Sequence, residues 1–299
     1  MTYPAISGGL KYLHEAGYVM KKHITKPKNV NYRVVPRSVW RIAKQHLPKP
    51  AKKNGPGRSR KPNRAILNGI WFVLWTGCQW KALDKSWFGV SSSVLHERFQ
   101  TWGEEGIWQE IFRSMLRFYA RKKHILWKWQ SVDSRSCAAP LGGKDTGPNP
   151  TDRAKQGSKI HLLVDQRGAP LAVWITGANQ HDKWSLDDLV IHIAVERPSS
   201  QQHLCADKGY DYDDVHAFVL SEGYIAHIKH RRRRGEPPDP CPIPGETLFP
   251  ARRWVVERTL GWLARRRSIR TRWCEKSSNW LAFVLLASAS ILADMAIFR

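Results

Sequence analysis

Residues 203–228 read HLCADKGYDYDDVHAFVLSEGYIAHI and predict a strand, a helix and a second strand. The short apolar run at 203–207 ends in a carboxylate, Asp207, and is typical of a buried strand. Apolar residues at helical spacing follow at 212–221, and a second apolar run occupies 224–228. Strands that alternate with helices in this way favour an α/β fold.

The α/β character extends to both sides of that stretch. Upstream, 130–134, 159–164 and 171–175 are apolar runs, and Asp165-Gln166-Arg167-Gly168 is a hairpin signal between the last two. Helical spacing marks 184–195, 251–267 and the C-terminal apolar segment. The resulting order, βββαβαβα over residues 127–299, is that of the ribonuclease H-like fold, a mixed five-stranded sheet flanked by helices.

Residues 64–126 are predicted to form an N-terminal helical module. Apolar residues recur at helical spacing from Ile66 to Leu74, Gly77 ends that helix, and further helices follow Ser91 and Gly106. Three short helices are compatible with a helix-turn-helix module, although small helical domains of other function share the pattern. Residues 1–63 are interpreted as a basic N-terminal extension whose last part, 48–63, is a linker rich in Pro, Gly, Lys and Arg.

The charge of the chain predicts a polyanionic partner. Lys and Arg number 49 against 25 Asp and Glu, a formal net charge of +24 in 299 residues. Self-repulsion of this size opposes folding, so it favours a protein that binds nucleic acid. An anionic membrane surface and a merely basic protein remain alternatives at this stage.

Cysteine usage and the apolar segments argue for a cytoplasmic protein. The five cysteines are widely spaced and form no CxxC pair, so neither a disulfide framework nor a zinc ribbon is indicated. The N-terminus shows no signal-peptide pattern. The longest apolar stretch, 280–293, is too short to span a bilayer and is interpreted as a core helix.

Three carboxylates stand out by their position. Asp133 and Asp207 each follow an apolar strand, and Glu257 lies in the helical segment Arg-Arg-Trp-Val-Val-Glu-Arg-Thr. Converging carboxylates repel one another unless a cation neutralises them, and their hard oxygen ligands suit Mg²⁺ or Mn²⁺. The alternative for each Asp is a turn or helix cap, and for Glu257 an i,i+4 ion pair with Arg253.

The sequence resembles DDE transposases of bacterial insertion sequences, specifically the insertion sequence 5 group, over about residues 64–295. The motifs that carry the resemblance are Gly77-Cys78-Gln79-Trp80, Val132-Asp133-Ser134, Thr146-Gly147-Pro148-Asn149-Pro150-Thr151-Asp152-Arg153, Gly157-Ser158-Lys159-Ile160-His161, Asn179-Gln180-His181-Asp182, Ala206-Asp207-Lys208-Gly209-Tyr210-Asp211 and Arg253-Trp254-Val255-Val256-Glu257-Arg258-Thr259.

This resemblance implies a transposase that binds terminal inverted repeats in double-stranded DNA and that cuts and joins DNA. The reaction would require a divalent metal ion, Mg²⁺, for which Mn²⁺ could substitute. It implies Asp133, Asp207 and Glu257 as the catalytic, metal-binding triad. A homodimer or larger assembly is expected, because two element ends must be joined. The chain departs from the wider signature at Pro250, where the family has Tyr, and at Ala264, where it has Lys, with Arg265 next to it.

Several other side chains are candidates for DNA contacts or chemistry. The predicted DNA-binding residues are Lys155, Lys159, Arg231, Arg232, Arg253, Arg258 and Arg265. His161 and the pair His181-Asp182 resemble general-base arrangements but are interpreted as the rim of the active site. A zinc site built from His227, His230 and Cys241 is disfavoured, because their spacing is irregular.

Two alternative functions make expectations that differ from those of an active transposase. A catalytically decayed or domesticated transposase would bind DNA without cutting it; the intact triad argues against this, whereas Pro250 favours it. A membrane-surface protein would need an amphipathic basic helix and no convergence of carboxylates, a pattern that the sequence lacks.

Overall fold

The computed structural model describes residues 31–49, 60–231 and 253–298. All the helices and strands given below lie within Tyr32–Arg299, which forms one compact unit. The predictions for Arg232, Cys241 and Pro250, and for most of the N-terminal extension with its linker, fall outside the described residues.

The first half of the described chain is helical, as predicted, and contains one helix that the sequence analysis did not assign. Gly77 and Gly106 bound helices at the predicted places and have φ of 65° and 70°, which favours glycine. The unassigned helix lies upstream of the linker and packs its apolar face, Val39, Ile42 and Ala43, into the core. The helices are α1 Arg37–His46, α2 Asn63–Thr76, α3 Lys85–Phe88, α4 Ser92–Glu104 and α5 Ile107–Lys123.

The sheet has five main strands in the predicted order, and a sixth strand of two residues. Strands β3, β1, β5 and β6 are neighbours in this order. On the side of β3 that faces away from β1, both β4 and the short β2 pair with β3. Strands β1, β3 and β4 are antiparallel neighbours, whereas β5 is parallel to β1 and β6 is parallel to β5. This is the ribonuclease H-like topology. The strands are β1 Trp129–Ala138, β2 Gly147–Pro148, β3 Gln156–Asp165, β4 Pro170–Gly177, β5 Gln202–Ala206 and β6 Tyr224–Ile228.

The helices of the second half are α6 Leu186–Ile191, α7 Asp213–Ser221, α8 Trp254–Leu263, α9 Arg267–Arg270 and α10 Ser277–Phe298. Helix α6 is shorter than the predicted 184–195. A 3-10 turn, Asp182–Ser185, precedes it, and the backbone N–H of Ala194 leaves the helix to bond Leu171 O at 3.1 Å. Periodicity could not reveal this, because the apolar residues 193–195 pack against the sheet without helical geometry.

Helix α10 is the central core helix that the sequence predicted. It is long and apolar enough to cross a membrane, but 78% of its apolar window is buried inside the protein. It packs against α5 and α4 on one side and against β4 and α8 on the other. The predicted helical module and the predicted catalytic domain therefore share one hydrophobic core; the boundary between residues 126 and 127 stays a prediction.

A buried carboxylate organises the turn between β3 and β4. The Asp165 side chain accepts hydrogen bonds from the backbone N–H of Leu126, Arg167 and Ala169 at 2.8–3.2 Å, and from the Tyr119 hydroxyl at 3.2 Å. These bonds satisfy a group whose pKa is raised by burial. They tie the end of α5 to the turn on which α8 docks.

Candidate active site

Asp133 lies on β1, and Asp207 directly follows the adjacent parallel strand β5, at an equivalent position. The last paired rung of β1 and β5 joins Ser131 to Cys205, and each aspartate lies two residues further along its strand direction. Because side chains alternate with a period of two, both carboxylates lie on the same face, at a strand spacing of about 4.8 Å. The topology thus brings together two residues that are far apart in sequence.

A tight turn fixes the Asp207 side chain. Asp207 caps the 3-10 turn Lys208–Tyr210, and its Oδ1 accepts the backbone N–H of Gly209 at 2.6 Å. A Cβ added at Gly209 would lie 2.7 Å from that same oxygen, so a larger residue would displace the carboxylate. The glycine of the Asp-Lys-Gly-Tyr motif is therefore explained by its close approach to Asp207.

Helix α8 presents Glu257 to the two aspartates from the side. Its core face includes Val256 and Leu260, and the Thr259 hydroxyl donates to Gly168 O at 2.9 Å in the turn between β3 and β4. Gly168 has φ of 88°, and a Cβ there would lie 2.6 Å from the Thr259 hydroxyl. Glu257 points away from this contact, and its side chain is 49% exposed.

Arg253 joins Glu257 to Asp207. Its Nε donates a hydrogen bond to Glu257 Oε1 at 3.2 Å, and its Nη2 lies 3.1 Å from the same oxygen. Its Nη1 lies 3.7 Å from Asp207 Oδ2. The ion pair that the sequence analysis gave as the alternative for Glu257 is therefore present, but it extends to a second candidate carboxylate. The arrangement places positive charge between the acidic residues.

Asp133 is the least solvated of the three carboxylates. Burial raises its pKa to about 6; the backbone N–H of Ser134 and the charge of Arg253 lower it, and the charges of Asp207 and Glu257 raise it further. Three carboxylates that influence one another in this way carry more negative charge than the single Arg253 neutralises, and a hard cation would supply the rest.

The donor set suits Mg²⁺ or Mn²⁺, since it consists of carboxylate oxygens with Arg253 as the neutralising cation. Among the described residues, no three His, Cys, Asp or Glu side chains lie close enough to enclose a metal ion. The disfavoured zinc site includes Cys241, which lies outside the described residues, so its absence stays a prediction.

The structure places Lys159 inside the protein. Its side chain is 14% exposed, and its Nζ donates to Asp182 Oδ1 at 2.9 Å and to Gln180 O at 2.7 Å. His161, on the same strand, is fully buried and contacts the Thr176 hydroxyl at 2.8 Å; burial lowers its pKa to about 4. A place for His161 at the rim of the active site and a DNA contact by Lys159 both stay predictions.

The other predicted DNA-binding residues are spread over the surface. Lys155 is 59% exposed and lies 3.6 Å from Asp152, whereas Arg265 is exposed just beyond the end of α8. The backbone N–H of Arg231 bonds Asp211 Oδ2 at 2.8 Å, next to the undescribed segment. Arg258 stacks on Trp254 and Trp262 at 4.8 and 4.7 Å from their ring centroids.

The sequence analysis missed one buried group beside the carboxylates. The hydroxyl of Tyr210 is fully buried without a hydrogen-bond partner among the described residues. Burial, and then the charges of Asp182, Asp133 and Asp207, raise its pKa well above the ordinary value. Its place three residues after Asp207 was the available signal, but only the fold shows that the hydroxyl faces inward.

Comparison with known proteins identifies the family. A model of the transposase DDE domain matches residues 130–292, and a model of IS4/5 family transposases matches residues 35–112. The chain belongs to the DDE transposase family. Members are enzymes that cut and join DNA, so this chain is a transposase, as its motifs predicted.

Two curated relatives come from Burkholderia cepacia. The protein assigned as the transposase of insertion sequence element IS402 is 36% identical over 169 residues, which cover 54% of this chain and 72% of the relative. An uncharacterised 16.2 kDa protein of the same element is 30% identical over 119 residues, which cover 39% of this chain and 81% of the relative.

A solved structure shares the fold of this transposase. The synaptic complex of piggyBac transposase with hairpin DNA superimposes with a TM-score of 0.50 at 11% identity, covering 88% of this chain and 71% of that one. The likeness confirms the fold class that the order of strands and helices predicted.

Proposed function

We propose that Asp133, Asp207 and Glu257 are the catalytic residues of this transposase and that they hold a divalent ion, Mg²⁺, for which Mn²⁺ can substitute. The observation that carries the proposal is the equivalent position of Asp133 on β1 and of Asp207 directly after the adjacent parallel strand β5, with Glu257 joined to Asp207 through Arg253. The three carboxylates come from different parts of the fold, and the packing around them does not require three negative charges at one place.

The bound ions would activate an attacking oxygen and stabilise the leaving oxygen of a phosphodiester. The protein's own residues set the geometry for that step. Gly209 fixes the orientation of Asp207, and Thr259 anchors the helix that carries Glu257. Arg253 can pair with a DNA phosphate once its carboxylate partners are neutralised, because guanidinium binds phosphate in a bidentate manner.

The substrate we propose is double-stranded DNA at the terminal inverted repeats of an insertion sequence. Hydrolysis would free a 3′-hydroxyl, which would attack target DNA at the same carboxylates. Joining two ends requires two active sites, so we propose a homodimer or a larger assembly. The bacterial relatives and the DNA substrate support action in the cytoplasm, at the nucleoid.

The test is Asp207→Asn in a cleavage assay on a plasmid that carries the element ends, with Mg²⁺. Asn keeps the shape of the side chain and can still accept the Gly209 N–H, but it loses the charge. We expect a loss of at least about a hundredfold in rate, roughly 3 kcal/mol of barrier, with binding to the ends intact or stronger.

Asp187→Asn is the matched control, since Asp187 is an exposed carboxylate on α6 and is not one of the three proposed catalytic residues. It should cleave at the wild-type rate. Wild-type turnover by the Asp207 variant would refute the triad. A wild-type chain that binds the ends but does not cleave them would support the decayed transposase instead.

A further inference from the structure

The first helical segment of the chain is strongly basic on its exposed side. No Asp or Glu occurs between Glu15 and Asp84, although Lys and Arg recur throughout. On α1 the exposed residues Arg37, Arg41 and Lys44 follow one another at helical spacing, opposite the buried face. A one-sided basic helix without neighbouring acids is an electrostatic footprint for a polyanion.

Helix α5 runs antiparallel beside α1 and continues this surface. Arg41 lies over the Phe118 ring at 5.4 Å, and the His46 Nε2 contacts the Ser114 hydroxyl at 2.9 Å. Arg37, one turn before Arg41, therefore lies beside the last turn of α5, where the chain reads Arg121-Lys122-Lys123. Arg117 and Arg121, one turn apart, are both exposed.

Beyond α5, further cations surround a cleft beside α8. Arg167 donates to Lys123 O at 2.7 Å, and Arg258 of α8 donates to Arg167 O at 2.6 Å. Lys123, Arg167 and Arg258 line a cleft of about 450 Å³ together with Trp254, whose surface is 57% exposed. Arg258 is the residue after Glu257, so the cleft lies along the same helix that carries this candidate carboxylate.

The helices predicted to form a helix-turn-helix are less suited to this role. Helix α2 is buried along most of its length, against α4 and α9. Helix α4 exposes Ser93, Glu97 and Glu104, and carboxylates repel the phosphates of a duplex. The exposed surface of the helical half that favours DNA is therefore formed by α1 and α5.

We propose that duplex DNA reaches the active site along a basic track formed by the exposed side of α1, the C-terminal half of α5, and the cleft between Arg167 and Arg258. The inference rests on the proposed function and adds the surface that holds the substrate. The track would contact the phosphate backbone, and Trp254 would offer a ring surface in the cleft.

The test compares two double variants that remove the same charge. Arg37→Gln/Arg41→Gln neutralises the track, whereas Lys81→Gln/Lys276→Gln neutralises exposed residues near the opposite end of α5. Duplex binding is measured over a range of salt concentrations. We expect the track variant to bind about tenfold more weakly or worse, with a log–log salt slope shallower by about 2, since each lost phosphate contact removes about 0.9. The control should keep the wild-type affinity within about twofold and the wild-type slope.

A second track variant, Arg117→Gln/Arg121→Gln, guards against a folding defect in α1, and circular dichroism melts verify all the variants. Equal losses in track and control variants, or none in either, would overturn the track while leaving the proposed function intact. Failure of the wild-type chain to bind or nick duplex DNA would instead remove the proposed function. A track variant that loses binding only to vesicles of anionic phospholipid would overturn the proposal in favour of a membrane surface.

Discussion

Replacing Asp133 by Asn should stabilise the metal-free protein, even though it removes a proposed catalytic group. Burial is the main reason that the pKa of Asp133 rises to about 6, and the charges of Asp207 and Glu257 add to it. The folded state therefore disfavours the ionised form relative to the unfolded chain. Asn can still accept the Ser134 N–H that Asp133 Oδ1 binds at 2.7 Å, so the substitution removes mainly the charge.

The size of the effect follows from the shift in pKa. A rise from 3.8 to about 6 corresponds to about 3 kcal/mol, at 1.36 kcal/mol per pKa unit. The folded-state pKa is raised, so the penalty is absent below the unfolded pKa, grows as pH rises between the two values, and is complete above about 6. The variant should therefore gain about 3 kcal/mol at about pH 8 but only about 1.5 at about pH 5.

Urea unfolding in EDTA at these two pH values measures the difference directly. A matched substitution of an exposed carboxylate, Asp187→Asn, should change the free energy of unfolding little at either pH. If Asp133→Asn destabilised the protein at high pH, or gave the same change at both, burial and repulsion would not be the cause of the shift. Adding Mg²⁺ should reduce the advantage of the variant, since metal would stabilise the ionised wild-type site.

Three further predictions concern the scaffold and its charges. Arg253→Gln should lower the free energy of unfolding in EDTA by about 0.5–1 kcal/mol, because it removes exposed ion pairs, and should enlarge the rise in melting temperature caused by Mg²⁺. An unchanged response to Mg²⁺ would contradict the bridging role of Arg253. Arg272→Lys should lower the free energy of unfolding, measured in urea, by about 2–4 kcal/mol, because the buried guanidinium donates to Asp145 O, Ser158 Oγ and three other acceptors. A near-neutral result would show that those hydrogen bonds are replaceable. Deleting residues 1–123 should prevent folding, because α10 would lose α5 and expose its apolar side; a soluble fragment with a cooperative melt would show that the sheet folds alone.

The strands were predictable because their apolar runs are short and separated by turn residues. Residues 203–207, 212–221 and 224–228 each correspond to an observed element within one or two residues. Helix α1 was missed because it is only ten residues long and mostly polar and basic, although its few buried apolar residues do recur at helical spacing. The C-terminal end of α8 was placed too late, since the Ala and Arg residues at 264–267 are compatible with a helix, but the backbone leaves the helix after Leu263.

The candidate carboxylates were found from their motifs, but their relation to one another was not. Asp133 and Asp207 are adjacent because β5 pairs in parallel with β1, a contact between residues more than 70 positions apart. Lys159 is predicted from its motif to hold a phosphate; in the structure it pairs with Asp182 and its side chain is 14% exposed, and a contact with DNA stays a prediction. Sequence distance says nothing about such pairs, because strand order and register decide which side chains meet.

By itself the sequence determined the basic character of the chain, the order of its strands and helices, and the family motifs that identify a DDE transposase. These are local properties: periodicity, charge and short motifs are written residue by residue. Only the tertiary structure decided that α10 joins the helical half and the sheet in one core, that Arg253 bridges two carboxylates, and that α1 packs against α5. Those features depend on which buried faces pack together, and packing couples residues that no local pattern connects.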